Sequence, residues 1–346
     1  MAETAFIIGA GLAGICLAHQ LTERGLDVTL LDTGSNHSSA IAAGLVNPMV
    51  FRRMNKSWRL DEFLPESRDF YQQIEIRLQQ DFYHPIPIRR FFSSVQEHDL
   101  WVERSQQPEF KAYLEPITPA DFTTDIAHNP FGSGRVKQAY WIAAEKWVHE
   151  NQVFFSAQKR LNKESFQATS WDARTRTYAG KTYDFVIFCM GYQQKDEATF
   201  SYLPLQQTKG QTLLIESKLL PENLSLNRKC FVLPQGQQQF RVGATYEWNN
   251  PSTTLTTEAK EQLLANLEVL GQYEPLILEQ KAGVRPTVLD RRPLMGEHPA
   301  FKGVYIFNGL GTKGYMMAPT LSRELAEHLL ENKPLHPETD IHRFRN

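Results

Sequence analysis

Cysteine is scarce in this chain. The three present, Cys16, Cys189 and Cys230, lie inside apolar stretches without metal-ligand spacing. That excludes a disulfide framework and a zinc knuckle, and it leaves buried, reduced thiols and no metal site as the expectation. Neither sign of charge is in excess: 37 Lys and Arg stand against 39 Asp and Glu, a formal net charge of −2. A chain so balanced has no general attraction for nucleic acid or an anionic membrane, and binding either would need a local basic patch. Arg52, Arg53, Lys56 and Arg59 form one modest cluster, whose ordinary meaning is a solvated or phosphate-facing loop. No apolar run approaches membrane-spanning length, and the first strand pattern starts too close to Met1 for a secretory leader to precede it. The expectation is a soluble, cytoplasmic protein without a membrane partner. Its 346 residues, 41% of them hydrophobic, suffice for a large core and two intertwined domains.

Glycine, by contrast, is placed with purpose. Ala5 to Ile8 read as a buried strand and Leu12 to Glu23 carry helical spacing, with Gly9, Gly11 and Gly14 at the junction. Gly9 permits a tight turn, Gly11 lets the backbone approach a pyrophosphate, and Gly14 lets the helix pack close to the strand. The start of such a helix offers unpaired N–H groups and a positive dipole end to phosphate. Gly25 gives the helix a stop. Val28 to Leu31 read as a second strand, ended by Asp32, where a carboxylate accepts hydrogen bonds from a ribose 2′-OH and repels a 2′-phosphate. The motif predicts a dinucleotide and does not separate NAD from FAD.

Further along, Ser38 to Pro48 read as a small-residue loop, Leu60 to Gln80 as a helix, and Ile86 to Val95 as a strand. Glu97 to Asn129 is polar and proline-interrupted, with no clear pattern. Tyr140 to Glu150 has helical spacing, Val153 to Ser156 reads as a short strand, and Tyr183 to Gly191 as a buried parallel strand. A β-rich block follows, with strands at 211–216, 230–233, 239–245 and 276–284 and a helix at 257–270. Val304 to Phe307, the turn Gly309 to Gly314, and a helix from Tyr315 to Leu330 restore the opening style. The fold class expected is α/β (α+β overall): a discontinuous Rossmann-like FAD-binding domain of residues 1–85, 130–205 and 280–346, and an antiparallel β-rich substrate domain of 86–129 and 206–279.

These features together resemble the flavin-dependent oxidoreductases of the D-amino-acid oxidase and glycine oxidase superfamily. The resemblance rests on the first glycine motif with Asp32, on Ser39-Ala40 and Ala42-Ala43-Gly44, and on Tyr183 to Gly191. Lys209-Gly210-Gln211, Gly283-Val284-Arg285-Pro286, and Gly309 to Gly314 with Pro319 complete it. Within the superfamily, Gly210-Gln211 followed by Gly243-Ala244-Thr245-Tyr246 is most similar to the flavin domain of bifunctional enzymes that trim a modified wobble uridine of tRNA, whose methyltransferase part has no counterpart here.

The resemblance implies that FAD is contacted by Gly9, Gly11, Leu12, Ala13, Gly14, Asp32, Thr33, Ser39, Ala43, Gly44 and Gly191, and by Gly309, Gly311, Thr312, Lys313 and Gly314. It is held noncovalently, because no cysteine follows Arg285-Pro286. The resemblance also implies a small amine or amino-acid substrate whose carboxylate Arg285 grips in a fork, aligning the neighbouring C–H with flavin N5 for hydride transfer. Oxygen or another acceptor then takes the electrons. The alternative for Arg285 is a structural ion pair with Asp290 or Glu297. Lys313 stands where relatives carry an arginine and offers a second cation, while Asn47, Arg52 or Tyr246 face the ring. Alternatives for the whole are a carboxymethylaminomethyl group on tRNA as substrate, expected only if the cations around Arg52 gather beside the cleft, and a flavin-binding protein without turnover. An NAD(P)-dependent dehydrogenase is the most distant.

Overall fold

The computed structural model describes residues 2–34 and 38–344. Thr4–Ile8 (β1) runs parallel to Asp27–Leu31 (β2) on one side and to Phe185–Phe188 on the other. Leu161–Asn162 extends the sheet beyond β2, Phe301–Asn308 beyond Phe185–Phe188, and Leu294–His298 closes that edge antiparallel. Alternation along β1 serves both faces: Ala5 and Ile7 enter one apolar cluster with Ile15, Cys16 and Leu17, while Phe6 and Ile8 enter another with Val186, Phe188 and Val304. The helix Leu12–Glu23 (α1) covers the first face and ends where the sequence predicts, Gly25 taking φ +87°.

The second sheet has eight strands. Its spine is Leu205–Glu216 (β3), followed in the chain by Phe231–Gly236 (β4), Gln239–Gly243 (β5) and Leu276–Val288 (β6). Each is antiparallel to its neighbour in the order β6-β3-β5-β4, and Ser225–Asn227, Ile88–Phe91 and Ser133–Val136 continue beyond β4. Leu263 and Leu267 of the helix Thr257–Glu268 close one face over Leu213, Ile215 and Val242. Strands of this sheet lie on both sides of the sequence limits at 129 and 279, because Ser133–Val136 joins it and β6 continues to Val288. The last helix, Gly314–Glu331 (α2), packs on α1. No helix among the described residues is long and apolar enough to cross a membrane.

Several local expectations are corrected. Tyr140 to Glu150 is not one helix: Tyr140–Ile142 is a strand pairing Leu45–Val46 and Tyr83–Pro85, and the helix runs Ala144–Ala157. It absorbs the strand expected at 153–156, burying Phe155 and exposing Val153, as helical periodicity requires. The strand expected over 86–95 stops at Phe91, because Ser94 accepts from the Glu97 N–H and starts the helix Val95–Gln106. Ser38–Ile41 is one helical turn rather than loop, and Leu294–His298 forms a strand that the sequence pattern does not suggest.

Candidate active site

A cleft of about 480 Å³ runs from the end of β2 to the face of the second sheet. Its first end is set by the glycine turn. Gly9 takes φ +108°, and a Cβ there would lie 2.4 Å from the Cys189 carbonyl oxygen. No side chain caps Gly11 at the start of α1, so the helix opens on the cleft through Gly11, Leu12 and Ala13, with the Leu12 N–H donating to Ser39 Oγ at 2.9 Å. Asp32 accepts from Ala10 N at 2.5 Å and Gly34 N at 2.6 Å, which fixes its carboxylate at the cleft wall beside Thr33. Gly14 does not line the cleft. A Cβ there would meet the Gly9 carbonyl at 1.9 Å, so this glycine allows α1 to approach β1.

The middle and far end come from three more close approaches. Gly44, at φ +69°, leaves no room for a Cβ against the Ile142 carbonyl, 1.9 Å away, and so presses Ala43 and Gly44 into the wall. Asn308 Nδ2 donates to the Gly191 carbonyl at 2.9 Å, and Gly191 lines the cleft together with Thr33 and Ser39. At the start of α2, Gly311, Thr312, Lys313 and Gly314 line the cleft and no side chain caps Lys313. Gly309 lies behind them, packed on Val288 and Leu294. Two helix starts therefore open on one cavity, α1 with its Leu12 N–H given to Ser39 Oγ and α2 without a side-chain cap, an arrangement suited to a pyrophosphate at one and developing negative charge at the other.

Arg285 stands in β6 opposite Thr208. Its guanidinium carbon sits 4.6 Å from the centre of the Tyr246 ring, and Nη1 donates a long 3.4 Å bond to the Thr245 carbonyl. A Cβ on Gly210 would lie 2.2 Å from both terminal nitrogens, so the missing side chain is what lets the guanidinium lie flat on β3. No carboxylate pairs with Arg285 among the described residues. Asp290 pairs with Arg343 and Glu297 accepts from Gly303 N–H and Tyr305 O–H, which removes the structural ion pair expected as the alternative. Loss of water lowers the Arg285 pKa from its ordinary value.

Lys313 Nζ donates to the carbonyls of Asn47 at 2.6 Å and Met49 at 3.3 Å. The residue as a whole is half-buried, and withdrawal of its ammonium from water pulls its pKa down to about 8. A lysine titrating lower folded than unfolded penalises the folded state while charged, so the penalty is full below pH 8 and fades toward the ordinary value of 10.5. Protein freed of flavin is therefore expected to gain Tm relative to Lys313→Met as pH rises from about 8 toward 10.5. A pH-independent difference between the two proteins, measured by thermal denaturation, would refute that placement.

Of the residues proposed for the ring, Asn47 and Tyr246 line the cleft and Arg52 does not. None of Arg52, Arg53, Lys56 and Arg59 lines it. Lys56 pairs with Asp61, and Arg59 with Glu62 and Glu324. Cys189 and Cys230 line it as buried thiols, and burial pushes the Cys230 pKa up to about 12. Sequence reasoning missed the role of Gly210 and the presence of Asn227, Arg228 and Lys229 in the wall. Gly210 is visible as part of a motif, but nothing local announces the other three.

This geometry defines a dinucleotide-binding protein of two sheets sharing one cleft. The family model described as DAO, FAD dependent oxidoreductase, matches residues 4–328, and the chain belongs to that family, with FAD as its cofactor. Among relatives, a glycine oxidase of Pseudomonas aeruginosa is 23% identical, over 97% of each chain. The tRNA 5-methylaminomethyl-2-thiouridine biosynthesis bifunctional protein MnmC of Marinobacter nauticus is 24% identical over 94% of this chain and 55% of its own length. The chain thus spans about half the length of the MnmC relatives it matches. The fold is that of a glycine oxidase from Geobacillus kaustophilus, with a TM-score of 0.82 at 17% identity over 99% of this chain and 98% of the other.

Proposed function

We propose that the protein oxidises the carbon–nitrogen bond of a carboxylate-bearing amine, an amino acid or secondary amine. The observation that carries this reading is Arg285, a guanidinium desolvated in the cleft, backed by a ring and a single carbonyl, with no carboxylate of its own. A substrate carboxylate would supply the missing charge through two parallel N–H bonds and orient the adjoining carbon. In this reading Gly9, Gly11, Ala13, Asp32, Ser39 and Gly44 hold the adenosine, pyrophosphate and ribityl parts of FAD, and Gly311 to Gly314 the ring end. The first sheet then serves cofactor and the second substrate. When bound, FAD supplies the two-electron acceptor that the protein side chains lack, and oxygen or another oxidant takes the electrons onward.

Tyr246 holds the guanidinium plane. Two of the three ammonium donors of Lys313 are spent on backbone carbonyls, leaving one for the cleft. Among the described residues the lining includes no histidine, and its only carboxylates, Asp32 and Glu164, belong to the β2 end. No histidine or carboxylate at the substrate end then serves as a base. Lys313, with its pKa drawn down to about 8, is the lining amine that can take a proton, and a substrate amine that binds in its neutral form needs no base at all. Anaerobic mixing with carboxylated secondary amines is expected to bleach the visible flavin band, with a rate that rises with pH up to the pKa of the amine. Equal bleaching by the decarboxylated analogues would overturn the assignment. A substrate attached to tRNA is less well supported, because half of the cation cluster it needs is neutralised and none of it lines the cleft.

A further inference from the structure

The charge in the cleft is not balanced by one carboxylate. Apart from Asp32 and Glu164 at the β2 end, the wall carries four cations, Arg228, Lys229, Arg285 and Lys313, and no acid among the described residues. Arg285 is matched by the carboxylate already proposed, and Lys313 is largely engaged by carbonyls. Arg228 and Lys229 are surplus. They sit in the turn between Ser225–Asn227 and β4, across the sheet from β6. Phe231 stands opposite Gly243 and Gly243 opposite Thr212, so β3 and β5 separate the two cationic sites, roughly 15 Å at the backbone from strand spacing.

The turn is built to hold its place. Arg90 donates to Asn227 Oδ1 at 2.7 Å and to the Arg228 carbonyl at 2.6 Å, while Glu97 neutralises Arg90. Arg228 Nη1 makes only long bonds, to the carbonyls of His128 and Val269 at 3.3 and 3.2 Å, and its Nε is buried without a hydrogen-bond partner. Neither Arg228 nor Lys229 forms an ion pair with a described carboxylate, and Lys229 is exposed at the cleft. A pinned turn that places two cations without an ion pair in the cleft wall, three strands away from the amine-orienting arginine, is a receptor for negative charge.

We infer that the substrate carries a second anionic group, a carboxylate or a phosphate, which the Arg228–Lys229 turn receives while Arg285 holds the carboxylate beside the reacting carbon. The inference rests on the amine-oxidising reading above. The test uses holoenzyme and a series of N-(ω-carboxyalkyl)glycines of increasing length, their N-alkylglycine counterparts, and an ω-phosphonate of the best length. Calorimetric Kd values for non-oxidisable α,ω-dicarboxylates provide a readout independent of turnover. The doubly charged compounds are expected to exceed their singly charged counterparts in kcat/KM at one preferred length, and the dicarboxylates to bind tighter than monocarboxylates. Lys229→Ala, which leaves a solvent-exposed site, should erase about fivefold of each preference, and Arg228→Gln more. The better of carboxylate and phosphonate identifies the group. Equal rates for singly and doubly charged amines, or a preference that survives both substitutions, overturn the second-anion site alone. Failure of every amine to reduce the flavin overturns the amine reading and this inference with it.

Discussion

Arg285→Ala is expected to lower kcat/KM for carboxylated amines by about 2–5 kcal/mol, roughly thirty- to several-thousandfold, with FAD still bound. The size follows from what the side chain faces when substrate is absent. A partnered arginine, once removed, would leave its acid exposed to the same penalty, but Arg285 leaves only a tyrosine ring and a carbonyl that already accepts a poor bond. The fold therefore loses little on truncation, and removal of a desolvated charge offsets the packing lost on Tyr246. Activity and stability should separate: a large loss in kcat/KM and a Tm near wild type. Arg285→Lys should recover only part, since a point charge cannot make the two parallel bonds. Gly210→Ala should resemble the truncation in miniature, because its methyl group would displace the guanidinium rather than the backbone. Steady-state kinetics with thermal denaturation decides the matter. Unchanged kcat/KM in Arg285→Ala would remove the carboxylate fork, and a collapse of Tm alongside activity would make Arg285 structural.

What can be read in the chain alone is whatever a short stretch determines for itself. β1, α1 and β2 are legible because an apolar run, three glycines and a terminal acid specify strand, turn, helix and strand within about 30 residues, and Leu12–Glu23 is found with both predicted ends. The buried strand at 185–188 is legible for the same reason. Val153 to Ser156 misleads because Val-Phe-Phe favours a strand locally, whereas packing of Trp147, Val148 and Phe155 in one cluster keeps the helix going. Ser94 and Glu97 form a helix start that the sequence does display, and the strand expected over 86–95 runs through it. The site divides in the same way. Arg285, the two glycine turns and Gly243-Ala244-Thr245-Tyr246 are motifs, but the packing of Tyr246 on Arg285 and the place of the Arg228–Lys229 turn in the wall arise only through the pairing of β3, β4, β5 and β6, in which residues as distant in sequence as Leu205 and Val288 stand side by side. No local pattern encodes that.

Gly14→Ala is expected to yield a protein largely without FAD and with a clearly reduced Tm. The methyl group would be placed 1.9 Å from the Gly9 carbonyl oxygen and 3.2 Å from Ile7 Cγ2, and the first of these is backbone of the turn itself. Relief requires α1 to move off β1, at a cost of about 1–3 kcal/mol or more for overpacking. The helix start cannot move alone, because Leu12 already fills the space a Cβ on Gly314 would need, 2.9 Å away, so α1 and the start of α2 are in contact. One methyl group therefore shifts the N–H groups at both helix starts that open on the cleft. Gly25→Ala separates this from ordinary glycine strain. Gly25 has φ +87° but nothing within 4 Å of where a Cβ would stand, so the substitution should cost only the left-handed conformation, about 1–2 kcal/mol, and keep its flavin. The ratio of visible flavin absorbance to protein absorbance, read beside Tm for the two variants, distinguishes displacement of the cofactor cradle from loss of stability. Full flavin content in Gly14→Ala would mean that the turn tolerates a displaced helix and that the cradle is set elsewhere along the cleft.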